Sequence, residues 1–221
     1  MQAIFFDANG VLYYRVDKHR LMRTFLERNH LPVPPAERVR QATLAERTQA
    51  FVGKISKSDY YDAVLAAWGV TDPRLRAEGH HVQDAAQARI FLHVGVPKTL
   101  PALKARGFKL GIITNAVAAT ADKLRWFHDR GLNVDWDAVA NSVEVGVAKP
   151  DPRIYLAGLE QAGVAAADAL FVGHKQSEIS GAHAVGMRTA AFNADLAVQA
   201  DYTIVRFADL LDLPVLQTAT S

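Results

Sequence analysis

The chain has 221 residues, of which half are apolar and 22% charged, with no cysteine and a net charge of +2. That length suits one core domain plus a modest insertion, and the lack of cysteine excludes disulfides, thiolate metal sites and cysteine nucleophiles. Lysine and arginine are scattered along the sequence, which gives no electrostatic case for a nucleic-acid or membrane-surface partner. No apolar run approaches the roughly 18 residues of a membrane span. Asp7 interrupts the first apolar run almost at once, unlike a signal peptide, so the cytoplasm is the expected location.

Ala3 to Phe6 is a short apolar run that ends in Asp7 with Gly10 close behind, the pattern of a buried strand feeding a turn. From about Val16 to Leu92 apolar residues recur at helical spacing, as in Leu21, Phe25 and Leu26, then Tyr60, Tyr61, Val64, Leu65 and Trp68. Pro32, Pro34, Pro35 and Gly53 divide this block, Ser56 or Ser58 can cap the helix that follows, and no comparable strand-like run is expected inside it. After Gly95 strands and helices alternate. Helices are expected over Pro97 to Arg106, Ala118 to Arg130, Pro152 to Gln161, Ser177 to Val185 and Phe207 to Leu211. Strands are expected over Lys109 to Ile113, Ala138 to Ala140, Leu170 to Val172, Thr189 to Phe192 and Tyr202 to Val205. Gln217 to Ser221 read as a frayed tail.

Repeated strand–helix units predict a central parallel sheet flanked by helices. The expected organisation is an α/β core over 1–14 and 93–221 with an inserted helical domain over 15–92. Ligands of open parallel sheets bind at the carboxyl ends of the strands. Asp7, Thr114, Asn115 and His174 all fall at such ends.

Phe5-Phe6-Asp7-Ala8-Asn9-Gly10-Val11-Leu12 resembles the first motif of the haloacid dehalogenase superfamily, Asp-x-Asp-Gly-Val/Thr. Ile112-Ile113-Thr114-Asn115 resembles the second motif, and the run from Val145 to Tyr155 around Lys149-Pro150 resembles the third. Phe171-Val172-Gly173 and the run from Ile179 to Met187 resemble the frame of the fourth. The four follow one another across the whole core, and the helical insertion matches the family's first type of cap. The resemblance implies a Rossmann-like core and a hydrolase. In it Asp7 attacks in line to form a covalent aspartyl intermediate. Thr114 and neighbouring backbone N–H groups bind the oxygens of the transferring group, with Asn115 beside them, and Lys149 neutralises Asp7 and the developing charge. Each has a plainer alternative: a turn-capping aspartate, a Thr-Asn turn, a solvated surface lysine.

Two positions depart from the family pattern. Asn9 replaces the second aspartate, the proton donor in the phosphatases, and cannot shuttle a proton; such a loss costs on the order of 10²–10⁴ in rate. Its backbone carbonyl, which helps to bind Mg²⁺ in the family, is kept. His174 replaces the aspartate of the fourth motif, and Glu178 falls where a second acidic residue usually lies. The expected metal ligands are Asp7, Asn9 and Glu178, and the family's Mg²⁺ is weakened or absent, since Mg²⁺ prefers oxygen ligands. His174 is either a base, as histidine titrates near neutrality, or a loop residue without a catalytic role.

For the substrate, Gly10, Arg15 and Lys54 are the candidate contacts. Lys54 lies in Gly53-Lys54-Ile55-Ser56, which resembles the cap loop that reads the substrate. Arg15, Arg20 and Arg23 lie in the stretch that supplies a halide-binding arginine in the dehalogenases. The partner expected is a small anionic molecule, and the chain is expected to be a monomer or homodimer. Three functions remain open: a phosphatase-type enzyme of altered efficiency, a metal-independent 2-haloacid dehalogenase, and a silent ligand-binding relative.

Overall fold

The structure, a computed structural model, describes residues 1–195 and 197–217. The chain opens with β1 (Ala3–Phe6) and β2 (Tyr13–Tyr14). Five helices follow: α1 (Arg20–Arg28), α2 (Ala36–Ala42), α3 (Leu44–Phe51), α4 (Lys57–Ala67) and α5 (Pro73–Ala88). Next come β3 (Phe91–Leu92), α6 (Val96–Ala105), β4 (Lys109–Thr114), α7 (Thr120–His128), β5 (Ala138–Asn141) and α8 (Ser142–Val145). The remainder is α9 (Pro152–Ala162), β6 (Ala169–Gly173), α10 (Gln176–Ala184), β7 (Arg188–Phe192) and β8 (Tyr202–Ile204), closed by short 3-10 turns. Of the tail expected to fray, residues 218–221 lie outside the described residues.

Six parallel strands form one sheet in the order β5-β4-β1-β6-β7-β8. All four residues of β1 are buried, which is why the strand is apolar on both faces. Strand alternation sends Ile4 and Phe6 to a cluster with Leu100, Leu103 and Phe127 of α6 and α7. Ala3 and Phe5 go to a second cluster, with Ile154, Tyr155 and Ile179 of α9 and α10. The sheet is thus covered on both faces, as the strand–helix alternation predicts. β1 lies between β4 and β6, with Phe6 in register with Ile112 and Val172. The chain therefore leaves the sheet at Asp7 where connections diverge to either side, the place where such sheets bind ligands.

The five helices between β2 and β3 carry their own apolar cluster, with Phe25, Leu26, Leu65 and Trp68 at its centre. Two elements correct the sequence reading. Phe91–Leu92, inside the block expected to be free of strands, pairs antiparallel with Tyr13–Tyr14. Two residues a side are too short to show a period; the ribbon is set by its partner and by stacking of the Tyr14 and Phe91 rings at 5.8 Å. The single turn α8 was not expected either. Its buried Ser142 accepts a hydrogen bond from the Ala116 N–H through Oγ, a tertiary contact with no local signature.

Candidate active site

Backbone geometry puts Asp7 at the head of the site. Its N–H donates to the Val172 carbonyl at 2.9 Å, one rung beyond β1, and the chain then turns back so that Leu12 and Tyr13 donate to Ala8. Gly10 takes φ +97° in this turn, and a Cβ there would stand 2.7 Å from Nε2 of His174. Glycine is thus required twice, by the left-handed backbone and by the imidazole laid against it.

Asp7 is 5% exposed and both of its oxygens face cationic or titratable groups. The Lys149 ammonium donates to Oδ1 at 2.6 Å, and Nδ1 of His174 lies 3.2 Å from Oδ2. Burial alone pushes the Asp7 carboxyl up, but Lys149 and then His174 outweigh it and hold the group well below the usual carboxylate range. Lys149 also lies 3.3 Å from Oε2 of Glu178, so one ammonium sits between two buried carboxylates. It is aimed by Asn115, whose side chain accepts from the Lys149 N–H at 2.8 Å and donates to the Lys149 carbonyl at 3.1 Å.

A cavity of about 520 Å³ opens between the strand ends and the inserted helices, and Asp7, Asn9, Gly10, Arg15, Thr114, Asn115 and Glu178 line it. Neither Lys149 nor His174 is among its lining residues; both contact Asp7. The His174 ring is held against Gly10, with its Nδ1 toward Asp7. Asn9 is exposed, and its Oδ1 accepts from Arg15 at 3.4 Å. Arg15 is fixed by two donations to the Gln87 carbonyl, at 2.8 and 3.1 Å. Arg20 and Arg23 do not line the cavity, and Arg23 pairs with Asp17. Lys54 is also outside it: Gly53 is seated on the Val143 carbonyl, which turns the loop onto α8 and leaves Lys54 in solvent.

The model of the haloacid dehalogenase-like hydrolase family matches residues 1–186. This chain belongs to that family. It is 30% identical to a glyceraldehyde 3-phosphate phosphatase of Methanocaldococcus jannaschii, over 69% of each chain. It is also 30% identical to a phosphoglycolate phosphatase of Aquifex aeolicus, over 53% of this chain and 56% of that one. A 2-haloacid dehalogenase of Pseudomonas syringae shares the fold over 98% of both chains, with a TM-score of 0.75 and 24% identity.

Against the family's acidic metal site, this member offers a mixed donor set. Asp7, His174 and Glu178 each place one ligand atom within 4.8 Å of the others. Nδ1 of His174 and Oε2 of Glu178 are buried, with Asp7 Oδ2 and the Lys149 ammonium as their only charged neighbours among the described residues. These residues fit a divalent cation, and the imidazole suits a borderline ion such as Zn²⁺ better than Mg²⁺.

Sequence reasoning missed the other cations of the site. Lys18, Arg40, Arg47, Lys123 and Lys175 line the cavity with Arg15, against Asp7 and Glu178 as its only carboxylates among the described residues. Lys18 is open to solvent on one side, yet its partial burial and then Arg47, Arg40 and Arg15 lower its pKa. Lys123 did leave a signal. It lies three and four residues before Trp126 and Phe127, on the apolar stripe of α7, where a solvated lysine has no reason to be. Among the described residues no helix is long and apolar enough to cross a membrane.

Proposed function

We propose that this hydrolase acts on a small anionic molecule through a covalent bond to Asp7, as a phosphatase-type enzyme of altered efficiency. The observation that carries the reading is the buried carboxylate at the head of the cavity, kept ionised by Lys149 at 2.6 Å. An ionised, fixed oxygen is what in-line attack requires. In the proposed reaction an Asp7 oxygen attacks phosphorus and the leaving group departs with the electrons of its bond. Water then cleaves the aspartyl phosphate at phosphorus, releasing phosphate and the free carboxylate. Thr114 binds the transferring oxygens, Lys149 offsets their charge, and Asn115 holds Lys149 in place. His174 supports the ionised state of Asp7 through its Nδ1 contact at 3.2 Å. Where a divalent cation binds, Asp7, His174 and Glu178 would hold it and it would add positive charge beside the transferring group.

No carboxyl stands at position 9 to protonate a leaving alkoxide, so acyl phosphates and other activated leaving groups are the favoured substrates of this proposal. The two curated phosphatases suggest small phosphorylated compounds, which a cavity of about 520 Å³ accommodates. The inserted helices act as a cap over it. A cytoplasmic location and a monomeric or homodimeric state belong to the same proposal.

The missing acid also favours a second reading. A halide leaves unaided, so displacement at C2 of a 2-haloacid by Asp7, followed by ester hydrolysis, needs neither the acid nor a metal. The test is a panel of phosphate esters, acyl phosphates and 2-haloacids, each with Mg²⁺, with Mn²⁺ and with EDTA. Phosphate release that falls by at least about 10³-fold in Asp7→Asn supports the first reading. Halide release in EDTA establishes the second. Binding without turnover of any compound overturns both.

A further inference from the structure

We infer that Lys123 is a substrate-binding residue whose ammonium, together with the hydroxyl of Thr114, holds an oxyanion of the substrate. This deepens the proposed function and rests on Asp7 being the head of the site.

Lys123 is 2% exposed, on the buried stripe of α7, and lines the cavity. Its ammonium has two polar neighbours, the Tyr13 hydroxyl and Oγ1 of Thr114, both at 3.4 Å, and lies 5.6 Å from the centre of the Tyr13 ring. Among the described residues no carboxylate lies within ion-pairing distance of it. Lys149, equally buried, shows the contrast: it has Asp7 at 2.6 Å and Glu178 at 3.3 Å. A buried ammonium met only by two long hydroxyl contacts is poorly compensated, since taking its charge out of water is costly unless an opposite charge answers it. Because Lys123 lines the cavity, an anion held there can supply the opposite charge.

The neighbours specify that partner. Thr114 ends β4, beside β1 and hence beside Asp7. An anionic oxygen placed between Oγ1 of Thr114 and Nζ of Lys123 would therefore belong to a molecule already within reach of Asp7. Phosphate and carboxylate oxygens satisfy this chemistry equally, and both accept from an ammonium and a hydroxyl. The arrangement also answers the loss of carboxylates at positions 9 and 174. Fixed positive charge from Lys123 then holds the anion whether or not a divalent cation is bound.

The experiment is calorimetric titration of the whole chain with inorganic phosphate and, separately, with lactate, both in EDTA. It compares wild type with Lys123→Met, Lys123→Arg and Asp7→Asn. At least one of the two anions is expected to bind wild type, to bind Lys123→Met at least tenfold more weakly, and to bind Lys123→Arg within about threefold of wild type. Asp7→Asn is expected to bind the same anion more tightly, because a repelling charge is gone; that result stands even if Asp7 proves to have no covalent role. The melting temperature separates binding from a scaffold role. Replacing a poorly compensated charge with methionine leaves it equal to or above wild type. If Lys123→Met binds both anions within twofold of wild type, or if wild type binds neither, the assignment falls. Should Lys123→Met not fold, Lys123 is a structural residue and the assignment falls likewise.

Discussion

Asp7 carries two opposed physical demands. Burial raises the cost of its charge, and Lys149 with His174 more than offsets it, so the carboxyl is held well below the usual carboxylate range. In the turn that follows, position 9 carries an amide in place of a carboxyl: Asn9 is exposed, faces the cavity and accepts from Arg15. Restoring the carboxylates tests whether the present chemistry ever used them. Asn9→Asp combined with His174→Asp is expected to raise Mg²⁺-dependent hydrolysis of phosphate esters by about 10²-fold, the usual scale of a general acid. Steady-state rates on simple alkyl phosphates decide it, and an unchanged rate would mean that the leaving-group proton was not limiting.

Element contacts set how closely these residues can be brought together. β4 passes β1 with Gly111 opposite Phe5, and a Cβ at 111 would meet the Phe5 ring at 2.5 Å. Gly158 lets α9 approach the same face, with Ile113 and Phe5 at 3.2 and 3.3 Å from a Cβ placed there. Phe5 is one peptide from Phe6 and two from Asp7, so the ring's seat fixes the strand end that carries Asp7. Gly111→Ala is expected to cost about 1–3 kcal/mol by overpacking. Urea unfolding would show this as a lower midpoint at unchanged slope; a stability equal to wild type would show that Phe5 can move aside freely.

Across the whole molecule, two histidines on either side of the site couple stability to pH. His93 packs its ring on Phe192 at 5.3 Å and on Tyr14 at 5.0 Å; burial lowers its pKa, a hydrogen bond with the Gly10 backbone partly opposes this, and His174 adds a lesser lowering. His19, on the inserted helices, is lowered by burial, then by Lys18 and Arg23. Both therefore bind a proton more readily unfolded than folded. The stability they contribute is fully present above the unfolded value of about 6.5 and is lost as pH falls through the lower folded values. The melting temperature is expected to drop between pH 7 and pH 5, and His93→Gln to shrink the drop. A wild-type melting temperature that is flat over this range would refute the assignment.

Local physics made much of this protein legible from its residues. Unbroken apolar runs marked the buried strands, and β1 ends where Asp7 interrupts its run; helical spacing marked the inserted block, and four ordered motifs named the family. Those signals are short-range, because hydrophobic period and turn chemistry act between neighbours in the chain. The β2–β3 ribbon and α8 were illegible because each is held by residues far away in sequence. Charge was the plainest case. Lysines and arginines that look dispersed in the sequence converge on one cavity, Lys54 stands outside it, and the His174 ring occupies the space that a Cβ at Gly10 would take. Which cation meets a carboxylate and which is left facing an empty space is decided only when the strands and helices pack, since electrostatic energy depends on distance and burial rather than on order along the chain.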